Sequence, residues 1–230
     1  MDIIDLPTGP SPGIKQQISP TGFEQMRLCF LRFAFQQDAD FVKHQMPSAA
    51  SVLGIASHKL YQELWNGSFL GEDEIRIRLE TMWDEQVTAG FAKMKESAFG
   101  EVPDPKTWPY YQVKRISTIL DVVKMVNDYE PHTGSSSTET RSEVWLSGHG
   151  GLIVGQADVI HIGKDGAEII DYKTGRIFES DESSADVSTL KPAYERQLLI
   201  YSDLYHEMSG EWPIRATIPS LNEGLYSMTP

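Results

Sequence analysis

The sequence predicts an α/β chain of the α+β kind, with helices in its first half and a β-meander, a helix and a further strand in its second. Three observations carry this. Apolar residues recur at helical spacing as far as about residue 128. The polar tract Thr133-Gly134-Ser135-Ser136-Ser137 then reads as a loop between the halves, and β-rich runs separated by glycine turns begin at Glu143. With 230 residues and 40% apolar composition the chain can bury one substantial core. The predicted organisation is an irregular leader over 1–19 and a single domain over 20–230, mainly helical at 20–132 and sheet-forming at 140–230.

Pro7, Gly9, Pro10, Pro12 and Gly13 argue against regular structure in the leader. Thr21-Gly22-Phe23-Glu24 has the pattern of a capping box and opens a helix with Phe23, Met26, Phe30, Phe33 and Ala34 along one stripe. A second helix is expected over Ala50 to Trp65, where Leu53, Ser57, Leu60 and Leu64 recur and Asn66-Gly67 supplies the stop. His58 lies on it. A third runs from about Glu72 to Ser97 with Ile75, Leu79, Met82, Trp83, Val87 and Met94 on its apolar side. A fourth spans roughly Tyr111 to Asp128, with Ile116, Leu120, Val123 and Val126 on one side.

Three strands follow, over Glu143 to Leu146, Leu152 to Ile162 and Ala167 to Lys173. Gly148-His149-Gly150-Gly151 and Gly163-Lys164-Asp165-Gly166 turn the chain between them, which makes an antiparallel meander. Alternation in the second run places Gln156, Asp158 and Ile160 on one face and Ala157, Val159 and His161 on the other, while Asp171 and Lys173 share a face in the third. A helix from about Pro192 to Met208 is ended by Gly210, and Trp212 to Pro219 reads as one more strand.

Composition excludes several classes. No run approaches the ~18 apolar residues of a membrane helix, and the start has no secretion-signal layout, so a cytoplasmic protein without a membrane partner is expected. The single cysteine, Cys29, rules out an internal disulfide and any four-cysteine site built from this chain alone; on its own it reads as a small buried residue. A net charge of −13 argues against a broadly basic nucleic-acid surface but not against a local groove, since the acid is concentrated at 72–85 and in the loop from Glu179 to Asp186.

The hairpin carries the chemistry. A carboxylate on each of two adjacent strands, Asp158 and Asp171, can converge on a hard divalent cation such as Mg2+ or Mn2+. Lys173, one pleat beyond Asp171, would lie beside that ion, where it can stabilise developing negative charge or orient an attacking water. An isolated Asp-x-Lys is more often a surface pair, but Ile169-Ile170 just before it indicate a buried strand.

Gly155-Gln156-Ala157-Asp158, then Asp171-Tyr172-Lys173-Thr174-Gly175, then Gln197-Leu198-Leu199-Ile200-Tyr201 occur in this order. Together they resemble the G-x-x-D, D-Y-K-T-G and Q-x-x-x-Y elements of the RecB-like branch of the PD-(D/E)XK nucleases. Gly54-Ile55-Ala56-Ser57-His58 fits the branch's upstream G-x-x-x-H. The resemblance implies a restriction-endonuclease-like core, a central mixed β-sheet flanked by helices with an N-terminal helical region. It implies Mg2+ or Mn2+ held by His58, Asp158, Asp171 and the Tyr172 backbone carbonyl, with Asp158, Asp171 and Lys173 as the catalytic set. Gln197 and Tyr201 would bind the substrate, DNA.

Each of these residues also has a structural reading. His58 alone would be a core histidine; Tyr194, Leu198, Tyr201 and Tyr205 could form a packing stripe; Glu143 is either a support to the metal shell or an exposed strand residue. Arg27 to Phe33 resembles the first cysteine position of an iron–sulfur cluster found in some RecB-like nucleases, but the other three cysteines are missing, so no cluster is expected. The strand-like run Ile214 to Pro219 is compatible with a chain that continues beyond Pro230. No GxxxxGK[ST] loop is present, so a helicase motor would have to be a partner, as would any recombination or defence protein. Two functions follow: a metal-dependent DNA nuclease, expected to act as an exonuclease in repair, recombination or phage and defence processing, or a nuclease-fold module that binds DNA or a protein without cutting.

Overall fold

The computed structural model of the chain describes residues 17–38, 48–66, 72–97, 101–128, 137–179, 189–220 and 224–230. The leader as far as residue 16, the stop at Gly67, the tract at 133–136 and the acidic loop over 180–186 lie outside them. The helices are α1 (Pro20–Leu28), α2 (Phe30–Gln37), α3 (Ala49–Asn66), α4 (Glu72–Ser97), α5 (Tyr111–Asp128) and α6 (Pro192–Ser209). The strands are β1 (Ser137–Gly148), β2 (Ile153–Gly163), β3 (Gly166–Ile170), β4 (Phe178–Glu179), β5 (Thr189–Leu190), β6 (Arg215–Ser220) and β7 (Gly224–Met228).

The five-stranded sheet has the order β1-β2-β3-β6-β7. The first three strands form the expected antiparallel meander, β3 and β6 are parallel, and β6 and β7 are antiparallel, so the sheet is mixed. The parallel step is the one that needs a crossover, and α6 supplies it. Helices cover both faces. On one, Val159, Ile170 and Tyr172 pack with Leu60, Trp83 and Val122 of the α3–α5 layer; on the other, Ala157, Ile160 and Ile169 pack with Tyr201 and Leu204 of α6. One row of polar side chains crosses all five strands: Thr140 meets His161 at 2.8 Å, Glu168 accepts from Thr217 at 2.7 Å, and Thr217 meets Ser227 at 3.1 Å.

Several expectations change. The first predicted helix is two: Cys29 is extended (φ −161°, ψ 103°) and separates α1 from α2. Cys29 is exposed, not buried, and Phe30, placed on the apolar stripe, is 57% exposed because the break rotates α2 relative to α1. The cap is Ser19, whose hydroxyl accepts from the Gly22 amide at 3.0 Å ahead of Pro20, and not Thr21; Glu24 is taken up by Arg196 of α6 at 2.5 and 2.9 Å. Ile18, in the last residues of the predicted leader, pairs with Ile153.

On α5 the buried side carries Tyr111, Thr118, Ile119, Val122 and Val123, while Ile116 and Leu120 are 52% and 55% exposed. Both stripes satisfy the helical period; the observed one lets the Thr118 hydroxyl meet buried Ser57 of α3 at 3.0 Å. The third strand closes at Ile170, yet the amides of Asp171 and Lys173 still donate to the carbonyls of Thr217 and Pro219, at 3.0 and 3.2 Å. The short β4–β5 pair and β7 had no counterpart in the sequence reading. Among the described residues no helix is long and apolar enough to cross a membrane.

Candidate active site

The site forms where β2 and β3 part, beyond the pair Val159 and Ile170. Asp158 lies one step past that pair on β2 and Asp171 one step past it on β3. The Asp158 carboxylate accepts from the Tyr172 amide at 2.7 Å and lies 3.6 Å from Nδ1 of His58. Tyr172 is buried, its ring stacked on Tyr61 of α3 with centroids 4.6 Å apart and planes within 10°. Tyr61 and His58 are neighbouring positions on one turn of α3, so the stack docks this loop beside the histidine.

Asp171 and Lys173 point the other way, toward α6, as two residues one pleat apart must. The Lys173 ammonium lies 2.5 Å from the Asp171 carboxylate, and the Gln197 amide donates to the other carboxylate oxygen at 3.2 Å. Burial pushes the Asp171 carboxyl above the usual aspartate range; Lys173 pulls it down and the charge of Asp158 pushes it further up. Burial also opposes a charge on Lys173, but the two aspartates outweigh it and hold the ammonium above the usual lysine range. This is an acid-rich corner that one lysine only partly neutralises.

Gln197 and Tyr201 do come to the site, though not as an open substrate surface. Tyr201 is only 5% exposed; its hydroxyl donates to the Gln156 carbonyl at 3.0 Å and receives Gln197 at 3.3 Å. The pair therefore ties α6 to both β2 and Asp171, and Tyr201 belongs to the packing stripe as well, between Leu198 and Leu204. The glycine of Gly155-Gln156-Ala157-Asp158 has a matching cause: a Cβ there would lie 2.7 Å from the Tyr201 ring. Gly54 has no such neighbour, for a Cβ there meets nothing within 4 Å.

The expected alternation along β2 fails at Asp158. Gly155 and Ala157 face α6, and so do Ile160 and Ile162, which leaves Asp158 and Val159 consecutive on the α3 side. Ile160 thus does not share the face of Gln156 and Asp158, nor Ala157 that of Val159 and His161. β1 changes phase at the same level: Val144 and Leu146 pack toward α6, yet Arg141 lines the same cavity with Tyr205 and Ile160. The pairs Ser142 with Val159 and Val144 with Ala157 bracket the step, and Glu143 between them has φ 53°. Sequence reasoning missed this strain. Val159 and Ile160 alternate regularly between two covered faces, so the apolar run carried no signal of it.

Cations gather around the loop that follows Lys173, despite the net charge of the chain. Lys114 of α5 donates to the Thr174 carbonyl and Lys191 to the Arg176 carbonyl, each at 2.5 Å. Lys59 of α3, next to His58, donates to Glu143 at 3.2 Å. Among the described residues no three His, Cys, Asp or Glu side chains are grouped closely enough to hold a metal ion as they stand. The donor set nevertheless suits a hard divalent ion: one imidazole and two carboxylates that raise each other's energy, a repulsion such an ion would relieve.

A profile of the PD-(D/E)XK nuclease superfamily matches residues 17–226, a span that contains every residue of this site. A search of curated proteins finds no match to the chain.

Proposed function

Because the chain belongs to the PD-(D/E)XK nuclease superfamily, we propose that it is a deoxyribonuclease of the RecB-like kind, using Mg2+ or Mn2+ and acting as an exonuclease in DNA processing. The observation that carries this is the meeting of Asp158, Asp171, Lys173 and His58 at the parting of two strands, with Gln197 buttressing Asp171. His58, Asp158 and Asp171 are the side chains that would hold the ion, with the Tyr172 carbonyl beside them. When bound, such an ion polarises a phosphate and lowers the pKa of a water.

The rest is supplied by the chain. The Tyr172 amide fixes one oxygen of Asp158, so this carboxylate enters the reaction already oriented. Gln197 does the same for Asp171. Lys173, paired with Asp171, lies where it can stabilise negative charge developing on the phosphate. Lys114 and Lys191, whose ammonium groups border the loop after it, favour a polyanionic substrate here on an otherwise acidic protein.

Linear, nicked, circular and single-stranded DNA, each incubated with Mg2+ or Mn2+, test the reading. The parent is expected to degrade linear DNA from its ends, and Asp171→Ala and Lys173→Ala to lose at least about 100-fold in rate, in keeping with loss of a group stabilising transition-state charge. A parent inert on all four substrates, or variants that cut as fast as it does, would overturn the assignment.

A further inference from the structure

The first turns of α6 carry Tyr194, Gln197 and Tyr201, a spacing that lines the three along one face of the helix. Two of them are accounted for: Gln197 donates to Asp171 at 3.2 Å and the Tyr201 hydroxyl to the Gln156 carbonyl at 3.0 Å. The third, Tyr194, meets Lys173, whose ammonium lies 5.3 Å from the centre of its ring. Lys191, the residue before α6, brings a second ammonium to 5.7 Å from the same ring.

The ring is itself anchored. It packs against the buried cluster of Ile177, Leu190, Leu198 and Ile218, and the Tyr194 amide donates to the Lys191 carbonyl at 2.9 Å. Lys173 also pairs with Asp171 at 2.5 Å, but the nuclease reading assigns that carboxylate to the metal as well. A carboxylate shared in this way cannot fix the ammonium alone. The face of a tyrosine ring attracts a cation within about 6 Å through its quadrupole. It carries no charge to cancel that of the ammonium, so Lys173 keeps its charge and its N–H donors for a phosphate.

We propose that Tyr194 is a positioning residue for Lys173: its ring holds the ammonium where the phosphate is to be met, while Asp171 serves the metal. The proposal rests on the nuclease reading of Asp171 and Lys173.

Tyr194→Phe and Tyr194→Leu test it, since phenylalanine keeps the ring face and leucine only the apolar bulk. Thermal unfolding first shows each variant to be folded. In carbon-edited proton NMR of the metal-free protein, the ring current of Tyr194 should displace the ε-methylene protons of Lys173, assigned by their loss in Lys173→Arg. Tyr194→Phe should keep that displacement and Tyr194→Leu abolish it. On linear DNA with Mg2+, Tyr194→Leu is expected to lose about 3- to 30-fold in kcat with KM within about 2-fold, and Tyr194→Phe to hold kcat within about 2-fold of the parent. A leucine variant with the parent's kcat, or one whose loss lies in KM, overturns the proposal. So does a phenylalanine variant as slow as leucine, which would place the work on the hydroxyl; in each case the parent still cuts and the nuclease reading stands. An undisplaced Lys173 methylene in the parent overturns the proposal whether or not the parent cuts. A parent inert on DNA removes the nuclease reading, and the role of Tyr194 with it.

Discussion

Gly155→Ala is the substitution that most directly tests how the site is held. A Cβ at this position would lie 2.7 Å from one carbon of the Tyr201 ring, 3.3 Å from the next, and 3.2 Å from Pro20 at the start of α1. Carbon contacts are attractive only from about 3.5 Å, so the ring must retreat by roughly 1 Å. It is not free to do so: its hydroxyl is bonded to the Gln156 carbonyl at 3.0 Å and to Gln197 at 3.3 Å. Overpacking of this kind costs about 1–3 kcal/mol. In a chain of this length each kcal/mol moves the unfolding midpoint by about 2–4 °C, so calorimetry should show a fall of about 2–12 °C. In a Tyr201→Leu background the offending ring is gone, and adding the alanine should cost little, with a coupling above ~1 kcal/mol in the four-member cycle. A midpoint within about 1 °C of the parent, or the same loss in both backgrounds, would refute the packing of glycine against tyrosine.

Two further outcomes are expected. Tyr61→Ala deletes the ring stacked on Tyr172 and should destabilise by about 3–5 kcal/mol in denaturant titrations, whereas Tyr61→Phe, which keeps the stack, should cost less than ~1.5 kcal/mol; equal losses would show that the stack is immaterial. His149 is held above its usual pKa by its bond to Asp203 at 2.6 Å, with Glu207 adding to the effect. A raised folded pKa means stabilisation that is complete below the unfolded value near 6.5 and is lost as pH rises through the raised value. Melting midpoints of the parent and His149→Gln should therefore converge as pH rises above about 6.5, and a gap that stays constant with rising pH would count against the assignment.

Much of the helical layer was legible because its period is strong. Ile75, Leu79, Trp83 and Val87 declare one face of α4, and the bounds of α4 and α5 fall where the sequence puts them. The stripe of α5 was not legible, for two stripes fit the period and only the hydroxyl pair of Thr118 and Ser57, residues far apart in the chain, selects between them. At the site the proximity of Asp158, Asp171 and Lys173 was legible from the hairpin, and that of His58 from the family resemblance. Their arrangement was not: that Tyr201 is buried, that Glu143 is left-handed, and that Lys114 reaches Thr174 all depend on contacts between elements distant in sequence.

The amides of Asp171 and Lys173 are bonded to Thr217 and Pro219, on a strand that follows the whole of α6. In the order of synthesis Asp158, Asp171 and Lys173 precede β6, the strand that receives the last two. Until β6 is in place this stretch lacks the partner that fixes its backbone, and Gln197 has no seated carboxylate to meet. The parallel seam between β3 and β6 thus makes the catalytic corner depend on a late strand, so that damage to β6 reaches Asp171 and Lys173 without touching either side chain.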